Sequence, residues 1–244
     1  MQYWVRMTED ELRVALLLFG QIGLEGVTEL RRDFEPSPAL LEGMLRKGFF
    51  EEENAARRWT PFVEAVLRCA LQSQSQLRLH SSDGTLCGLY FRYDNMVLLS
   101  RKPDDEAMTL FFVPLLPEAI GTLARELKTE ALASCRPAPI EEKKEELSLP
   151  DGGEAAVLLP ALRAARPDAV AADAEPLLLA DGTRFGAHTL AAALLWTEGG
   201  SLRLAAEGDA LHIAPAGYYD FLESVSHWIV AAHGASIAAK EGGA

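Results

Sequence analysis

The sequence predicts an α+β protein in which an antiparallel β-sheet is flanked by helical bundles, with two related halves about a quasi-twofold axis. Two recurrences support the halves. The pattern DGTxxG occurs at Asp83–Gly88 and at Asp181–Gly186, and an apolar run that ends in proline occurs at Leu110–Pro114 and at Leu211–Pro215. Both are offset by about 100 residues, as expected for a duplicated unit. Each half should contain helices, β-hairpins and a closing helix.

The composition indicates a globular domain of 244 residues, 49% of them hydrophobic and 24% charged. The net charge of −13 disfavours general nucleic-acid binding, because phosphate backbones repel an acidic surface. The three cysteines, Cys69, Cys87 and Cys135, form no CxxC pair and fit a reducing compartment. We find no signal peptide, and the longest apolar runs are too short to span a bilayer. The sequence therefore predicts a cytoplasmic protein without membrane insertion.

Helix-start signals dominate the first 70 or so residues. Thr8 and Glu11 form a capping box for a helix that Gly20 ends. A second, short helix is predicted over Val27–Arg32. Ser37-Pro38 and Thr60-Pro61 each place a capping residue before a proline at the first helical position. The sequence therefore predicts a helical lead-in to the sheet.

Short β-branched, aromatic and apolar runs then predict an antiparallel meander. Asp83-Gly84 and Asp94-Asn95 are turn dipeptides, and Arg101–Glu106 is a charged hairpin loop. Apolar residues recur at helical spacing after Pro117 and predict the closing helix of the first half. The predicted strands are Leu77–His80, Leu89–Tyr93, Met96–Ser100 and Met108–Val113.

We predict a first half over residues 1–132, a linker over 133–150 and a second half over 151–244, joined in one globular unit. The linker carries a solvated charge run at Glu141–Glu146. In the second half, Leu190–Trp196 is ambiguous: its alanines favour a helix, whereas its place in the repeat favours a strand. The remaining predicted elements are a helix at Glu154–Ala165, a strand at Leu177–Ala180, a hairpin at Ser201–Ala206 and Ala210–Ile213, and a closing helix over about 216–232.

No reactive motif stands out. Each DGTxxG glycine follows a strand and precedes another, so we interpret both as β-turns rather than as a phosphate loop, which needs a helix N-terminus. The five histidines form no metal-binding pattern, and no nucleophile elbow, Walker loop or dinucleotide fingerprint occurs. The sequence therefore predicts no catalytic residue, no metal and no cofactor, and the protein is not expected to be an enzyme.

A winged-helix regulator is one alternative, because helices followed by a hairpin are typical of that fold. The segment that would read DNA, Pro38–Lys47, has its basic residues only at its far end, which fits a recognition helix poorly. A generic protein-interaction module is the other alternative.

Three segments resemble the EspG-type proteins of type VII secretion systems. They are TPFVEAVLRCALQSQSQLRLHSSDGTLCGLYFRYDNMVLLSR, VPLLPEAIGTLAREL and GGSLRLAAEGDALHIAPAGYYDFLESVSHWI, and the resemblance extends over about residues 8–235. It implies a quasi-twofold fold with a central antiparallel sheet. It also implies a cytosolic chaperone or adaptor that keeps an α-helical secretion substrate soluble before export, by covering the apolar tip of its helices.

The expected partner is therefore a protein, and neither nucleic acid nor a membrane. A helix laid on an apolar patch with a polar rim is the binding mode that this implies. Tyr218 and Tyr219 are adjacent, so both cannot face the core, and one could contact the partner. The candidate partner-binding residues are Arg101, Lys102, Asp104, Asp105, Tyr218 and Tyr219.

Overall fold

The computed structural model describes residues 3–53, 56–146, 154–165, 173–207 and 210–242. Within them, ten strands form one sheet in which every pairing is antiparallel, and helices cover both faces. The predicted α+β class with an antiparallel sheet and flanking helices is therefore confirmed.

The elements alternate between short strands and helices along the chain. In the first half they are β1 (Trp4–Thr8), α1 (Glu9–Phe19), β2 (Gly23–Leu24), β3 (Thr28–Glu29), α2 (Pro38–Arg46), β4 (Phe50–Glu53), β5 (Ala56–Trp59), α3 (Pro61–Leu71), β6 (Ser75–Ser81), β7 (Leu86–Arg92), β8 (Asn95–Arg101), β9 (Ala107–Phe112) and α4 (Leu116–Leu127). They continue as α5 (Glu130–Ser134), β10 (Lys143–Glu146), a 3₁₀ turn (Ala155–Val157), α6 (Leu158–Ala165), β11 (Glu175–Arg184), β12 (Ala187–Thr197), β13 (Gly200–Glu207), β14 (Ala210–Pro215) and α7 (Tyr218–Gly242).

The strand order shows the twofold relation directly. It runs β1-β9-β8-β7-β6 and then β11-β12-β13-β14-β10, so each half contributes a four-stranded meander and one edge strand. The halves meet where β6 pairs with β11. Strands β9 and β14, which contain most of the two proline-terminated runs, occupy equivalent places and lead into α4 and α7. The quasi-twofold arrangement is confirmed.

The DGTxxG recurrence is not a structural equivalence. Asp83-Gly84 lies in the β6–β7 turn, where Gly84 has a φ of +88°. Asp181-Gly182 lies inside β11, where Asp181 is opposite Arg78 on β6 and Ala191 on β12, so the prediction of a turn there was wrong. The strand runs on to a turn at Phe185-Gly186. Gly182 is needed for packing: a Cβ there would lie 2.7 Å from two ring atoms of Trp228.

Four further segments differ from the sequence predictions or decide between them. The Val27–Arg32 helix was wrong: β2 and β3 form a hairpin there, closed by Gly26 with a φ of +69°. Leu190–Trp196 belongs to a strand, β12, as the repeat requires. The closing helix continues to Gly242. Within the predicted linker, Lys143–Glu146 forms edge strand β10 on β14, and the division at 133–150 stays a prediction.

The apolar cores divide by face. Helices α1–α3 cover the first half on one face, α6 covers the second half on that same face, and α4 and α7 cover the centre of the other face. We call the face covered by α1–α3 and α6 the bundle face, and the face covered by α4 and α7 the α4–α7 face. On the latter, Phe221, Val225 and Trp228 of α7 are buried against strands of both halves. The halves thus share one core there and have separate cores on the bundle face.

A polar seam separates the two cores of the bundle face. We define it as Gln76, Arg78 and His80 of β6 with Asp181 and Thr183 of β11, where Arg78 and Asp181 lie directly opposite each other. Arg78 Nη2 lies 3.0 Å from Glu25 Oε1 on the β2–β3 turn. Ala155 N–H donates to Asp181 Oδ1 at 2.6 Å. The seam therefore anchors the β2–β3 hairpin and the start of the α6 segment to the sheet centre.

The seam should make stability depend on pH. Burial, reinforced by the guanidinium of Arg78, lowers the pKa of His80 below its usual 6.5. Arg101 acts in the same direction, whereas Asp181 and Glu154 oppose it. The folded state then binds fewer protons than the unfolded state near that pH, so stability falls as the pH drops through 6.5.

The test is chemical unfolding at about pH 7.5 and about pH 5.5. We expect the wild type to be less stable at the lower pH, and His80→Gln to lose less stability than the wild type over that interval. His227→Gln, on the exposed side of α7, is the matched control. Equal losses in the wild type and His80→Gln would contradict the assignment.

Candidate partner-binding surface

Two of the three cysteines in the described part of the chain, Cys69 and Cys87, are buried. Burial raises the pKa of Cys69 and of Cys87 to about 12, so these thiols stay protonated at neutral pH. Across the described ranges, no three His, Cys, Asp or Glu side chains are grouped so that they could hold a metal ion. None of the helices in the described part of the chain is both long and apolar enough to cross a bilayer.

The predicted charged loop joins β8 to β9 and is fixed at both ends. Arg101 Nη1 donates to the carbonyl of Val27 at 3.4 Å, and Lys102 Nζ donates to the carbonyl of Glu126 at the end of α4. Asp105 accepts two hydrogen bonds from Arg6 Nη2 of β1, at 2.7 and 2.8 Å. The loop is therefore held against both the sheet edge and α4.

The two aspartates of this loop have different environments. The backbone N–H of Ala107, and then Arg6, hold the pKa of Asp105 below its usual value. Asp104 is exposed and makes no hydrogen bond or ion pair within the described residues. Of the two aspartates of the loop, Asp104 is therefore the one more open to a partner.

The two adjacent tyrosines have opposite environments. Tyr218 is 2% exposed, and its hydroxyl donates to the carbonyl of Ala124 at 2.6 Å. Tyr219 is 63% exposed, with its ring 5.2 Å from that of Tyr218. Tyr218 thus joins α7 to α4 inside the core and is not accessible to a partner in this structure. A partner contact by Tyr219 stays a prediction.

Helix α4 connects the predicted residues. Its last turns accept hydrogen bonds from Tyr218, at Ala124, and from Lys102, at Glu126. Glu126 Oε2 also accepts a hydrogen bond from Ser100 Oγ at 2.9 Å. The loop and the tyrosines are therefore organised around the C-terminal end of one helix, although they lie more than 100 residues apart in the sequence.

A surface that the sequence reasoning missed adjoins this helix. The edge groove, as we call it, lies between the β1–β9 edge of the sheet and the outer face of α4, with a volume of about 390 Å³. Large apolar side chains are exposed at and beside it: Tyr3 at 52%, Trp4 at 43% and Leu115 at 57%. Its lining residues are Tyr3, Trp4, Phe111, Phe112, Val113, Glu118, Gly121, Thr122 and Arg125.

A second hollow of about 570 Å³ lies on the other side of β1. Phe49, Phe62 and Val63 contribute apolar walls, and Lys47 lies at its side. Lys47 Nζ is 2.7 Å from Glu11 Oε1, and the buried Glu11 also accepts a hydrogen bond from Thr8 N–H in the predicted capping box. This lysine is therefore part of the helix α1 structure rather than a free cation.

No family model and no curated protein matches the chain. Among solved structures, the chain is similar to the type VII secretion system chaperone EspG5 of Mycobacterium tuberculosis, determined in complex with the PE25–PPE41 dimer. The superposition covers 94% of this chain and 96% of that chain, with a TM-score of 0.60 and 14% sequence identity. The chain therefore has an EspG-like fold over almost its whole length.

Proposed function

We propose that the protein is a non-catalytic chaperone or adaptor that binds an α-helical substrate of a type VII-like export system. The observation that carries the proposal is the similarity to EspG5, which extends over 94% of the chain and not over one motif. EspG5 was solved with a protein dimer bound, and this supports a protein partner here.

The surface chemistry supports the same function. Exposed tyrosine and tryptophan side chains beside charged residues favour a protein contact, because such side chains combine apolar area with hydrogen-bonding groups. Tyr3, Trp4 and Tyr219 supply the aromatic area, and Lys102 and Asp104 supply exposed charges. The winged-helix alternative has no such support. Lys47, one of the basic residues at the end of the segment that would read DNA, is paired with Glu11.

The charge of the loop provides a direct test. We expect the double reversal Arg101→Glu/Lys102→Glu to reduce recovery of the substrate about tenfold in co-purification from the native host, because reversing two charges disrupts the electrostatic complementarity of an interface. Both side chains also donate hydrogen bonds to backbone carbonyls, so helix content and melting temperature are measured alongside recovery to show that the variant is folded. The readout is the amount of identified export substrate per amount of tagged protein.

Two controls make the result specific. Arg31→Glu/Arg32→Glu reverses another adjacent, exposed basic pair and should leave recovery unchanged. Glu126→Gln removes the carboxylate 4.0 Å from Lys102 but keeps the backbone carbonyl that holds this lysine, so it should leave recovery unchanged. Unchanged recovery with the Arg101/Lys102 variant would exclude the loop as the binding site. A wild-type protein that captures no helical export substrate would contradict the proposed function itself.

A further inference from the structure

The charged loop between β8 and β9 lies beyond the strand pairings that hold its ends. Strand β9 pairs with β1 as far as Ala107, which lies opposite Thr8. It pairs with β8 only as far as Thr109, which lies opposite Ser100. Residues 102–106 connect the two strands, so their conformation depends on turn and side-chain contacts. A loop that must be ordered on binding weakens the complex, because the ordering costs conformational entropy.

Local hydrogen bonds close the loop. The N–H of Asp105 donates to the carbonyl of Lys102 at 3.2 Å, and the N–H of Ala107 donates to Asp105 Oδ1 at 3.0 Å. The ammonium of Lys102 donates to the carbonyl of Glu126 on α4. Asp104 lies between these contacts and is exposed. The closed turn therefore presents the side chain of Asp104 to solvent, with Lys102 beside it.

Arg6 of β1 binds the same aspartate from the sheet. Its Nη2 donates to both carboxylate oxygens of Asp105, at 2.7 and 2.8 Å. The backbone of Arg6 is fixed by the β1–β9 pairing, in which it lies opposite Thr109. Most exposed ion pairs contribute little, and good geometry with both oxygens is the main exception. The carboxylate of Asp105 is thus occupied by the turn and by Arg6, and it joins the loop to the sheet.

We infer that Arg6 is a positioning residue of the partner-binding surface. Through Asp105 it holds the charged loop in the conformation that presents Lys102 and Asp104 to the export substrate, and it acts without contacting the substrate itself. Asp105, which the sequence suggested as a partner contact, then works with Arg6 inside the protein. The inference rests on the proposed function and on the loop as part of its binding site.

A double-mutant cycle on substrate recovery tests the positioning role. Arg6→Ala and Asp105→Asn should each reduce co-purification of the export substrate about threefold, because the released loop must be ordered on binding. Asparagine keeps an oxygen for the N–H of Ala107, so Asp105→Asn removes the ion pair and not the turn. The double variant should recover as much substrate as either single variant. Multiplied losses, about ninefold in the double variant, would show that the two residues act independently and would overturn the inference.

Two further variants separate positioning from a general effect of surface charge. Arg6→Lys keeps a cation that donates to the carboxylate of Asp105 and should restore most of the recovery. Arg68→Ala breaks an ion pair of similar exposure with Glu64 on α3 and should recover substrate as the wild type does. A loss with Arg68→Ala as large as that with Arg6→Ala would overturn the inference.

Amide hydrogen exchange measures the loop without the substrate. Arg6→Ala should speed exchange at Asp105 and Ala107 about threefold and leave Leu110, inside β9, unchanged. Unchanged exchange at Asp105 and Ala107 would overturn the inference. If the wild type captures the substrate and Arg6→Ala captures as much, the positioning role fails while the proposed function stands. If exchange responds as expected but the wild type captures no export substrate, the proposed function fails and Arg6 still orders the loop.

Discussion

Replacing Gly182 with valine should destabilise the protein by about 2–3 kcal/mol, because it overpacks a rigid part of the core. A Cβ at this position would lie 2.7 Å from Cε2 and Cζ2 of Trp228 and 2.9 Å from the Cβ of Leu190. The indole has little freedom to move: its Nε1 donates to Thr189 Oγ1 at 2.9 Å, and its ring meets Phe91 edge-on. Urea unfolding measures the loss.

Two comparisons define this prediction. Gly186→Asn replaces a glycine with a φ of +80° and open space around it, and should cost less than about 1 kcal/mol because asparagine tolerates that conformation. Gly182→Ala should cost less in a Trp228→Leu background than in the wild type, because the clash is with the indole. Additive losses in that double-mutant cycle would show that the indole is not the cause.

Arg78→Met should also cost about 2–3 kcal/mol at neutral pH. The residue is 6% exposed, and its guanidinium lies near three carboxylates: that of Asp181 in the seam, and those of Glu25 and Glu154, which lie outside it. Removing one partner of a fully buried ion pair costs about 3–5 kcal/mol, and we expect less here because Glu25 and Glu154 are about half exposed and screened by solvent.

The pH dependence of this variant distinguishes charge from packing. Burial raises the pKa of Asp181 above its usual 3.8, and Arg78 acts against that rise. Without Arg78 the folded state favours the protonated carboxyl more strongly, so the variant should lose stability relative to the wild type as the pH rises from 3.8 towards neutral. Arg78→Met/Asp181→Asn should recover part of the loss. A pH-independent difference between Arg78→Met and the wild type would contradict the electrostatic explanation.

Local signals in the sequence predicted most of the elements. The capping box at Thr8 and Glu11 and the Ser37 cap occur as expected, because caps depend on residues within one helical turn. Leu190–Trp196 could not be assigned by periodicity, since a buried strand and a buried helix can share the same apolar run. The repeat favoured a strand and the alanines a helix, and the structure shows the strand.

The DGTxxG recurrence misled for a physical reason. Asp-Gly is common in tight turns, yet glycine also occurs where another group approaches the backbone closely. The role of Gly182 depends on Trp228, which lies on α7 and is distant in sequence. The edge groove was missed for the same reason: its walls come from β1, β9 and α4, and only the β1–β9 pairing brings Trp4 beside Phe111.

The single β6–β11 ladder has a consequence for how the protein folds. Its paired residues are about 100 positions apart, and contacts of such long sequence separation form slowly because a large loop must close first. During synthesis β6 therefore emerges long before its partner strand β11. Leu77 and Leu79 of β6 are then still exposed, because the α7 residues that cover them have not yet been made. In that interval the edge of β6 that will pair with β11 has unpaired backbone groups. The β11 strand of a second chain can pair with it instead, which gives a domain-swapped dimer.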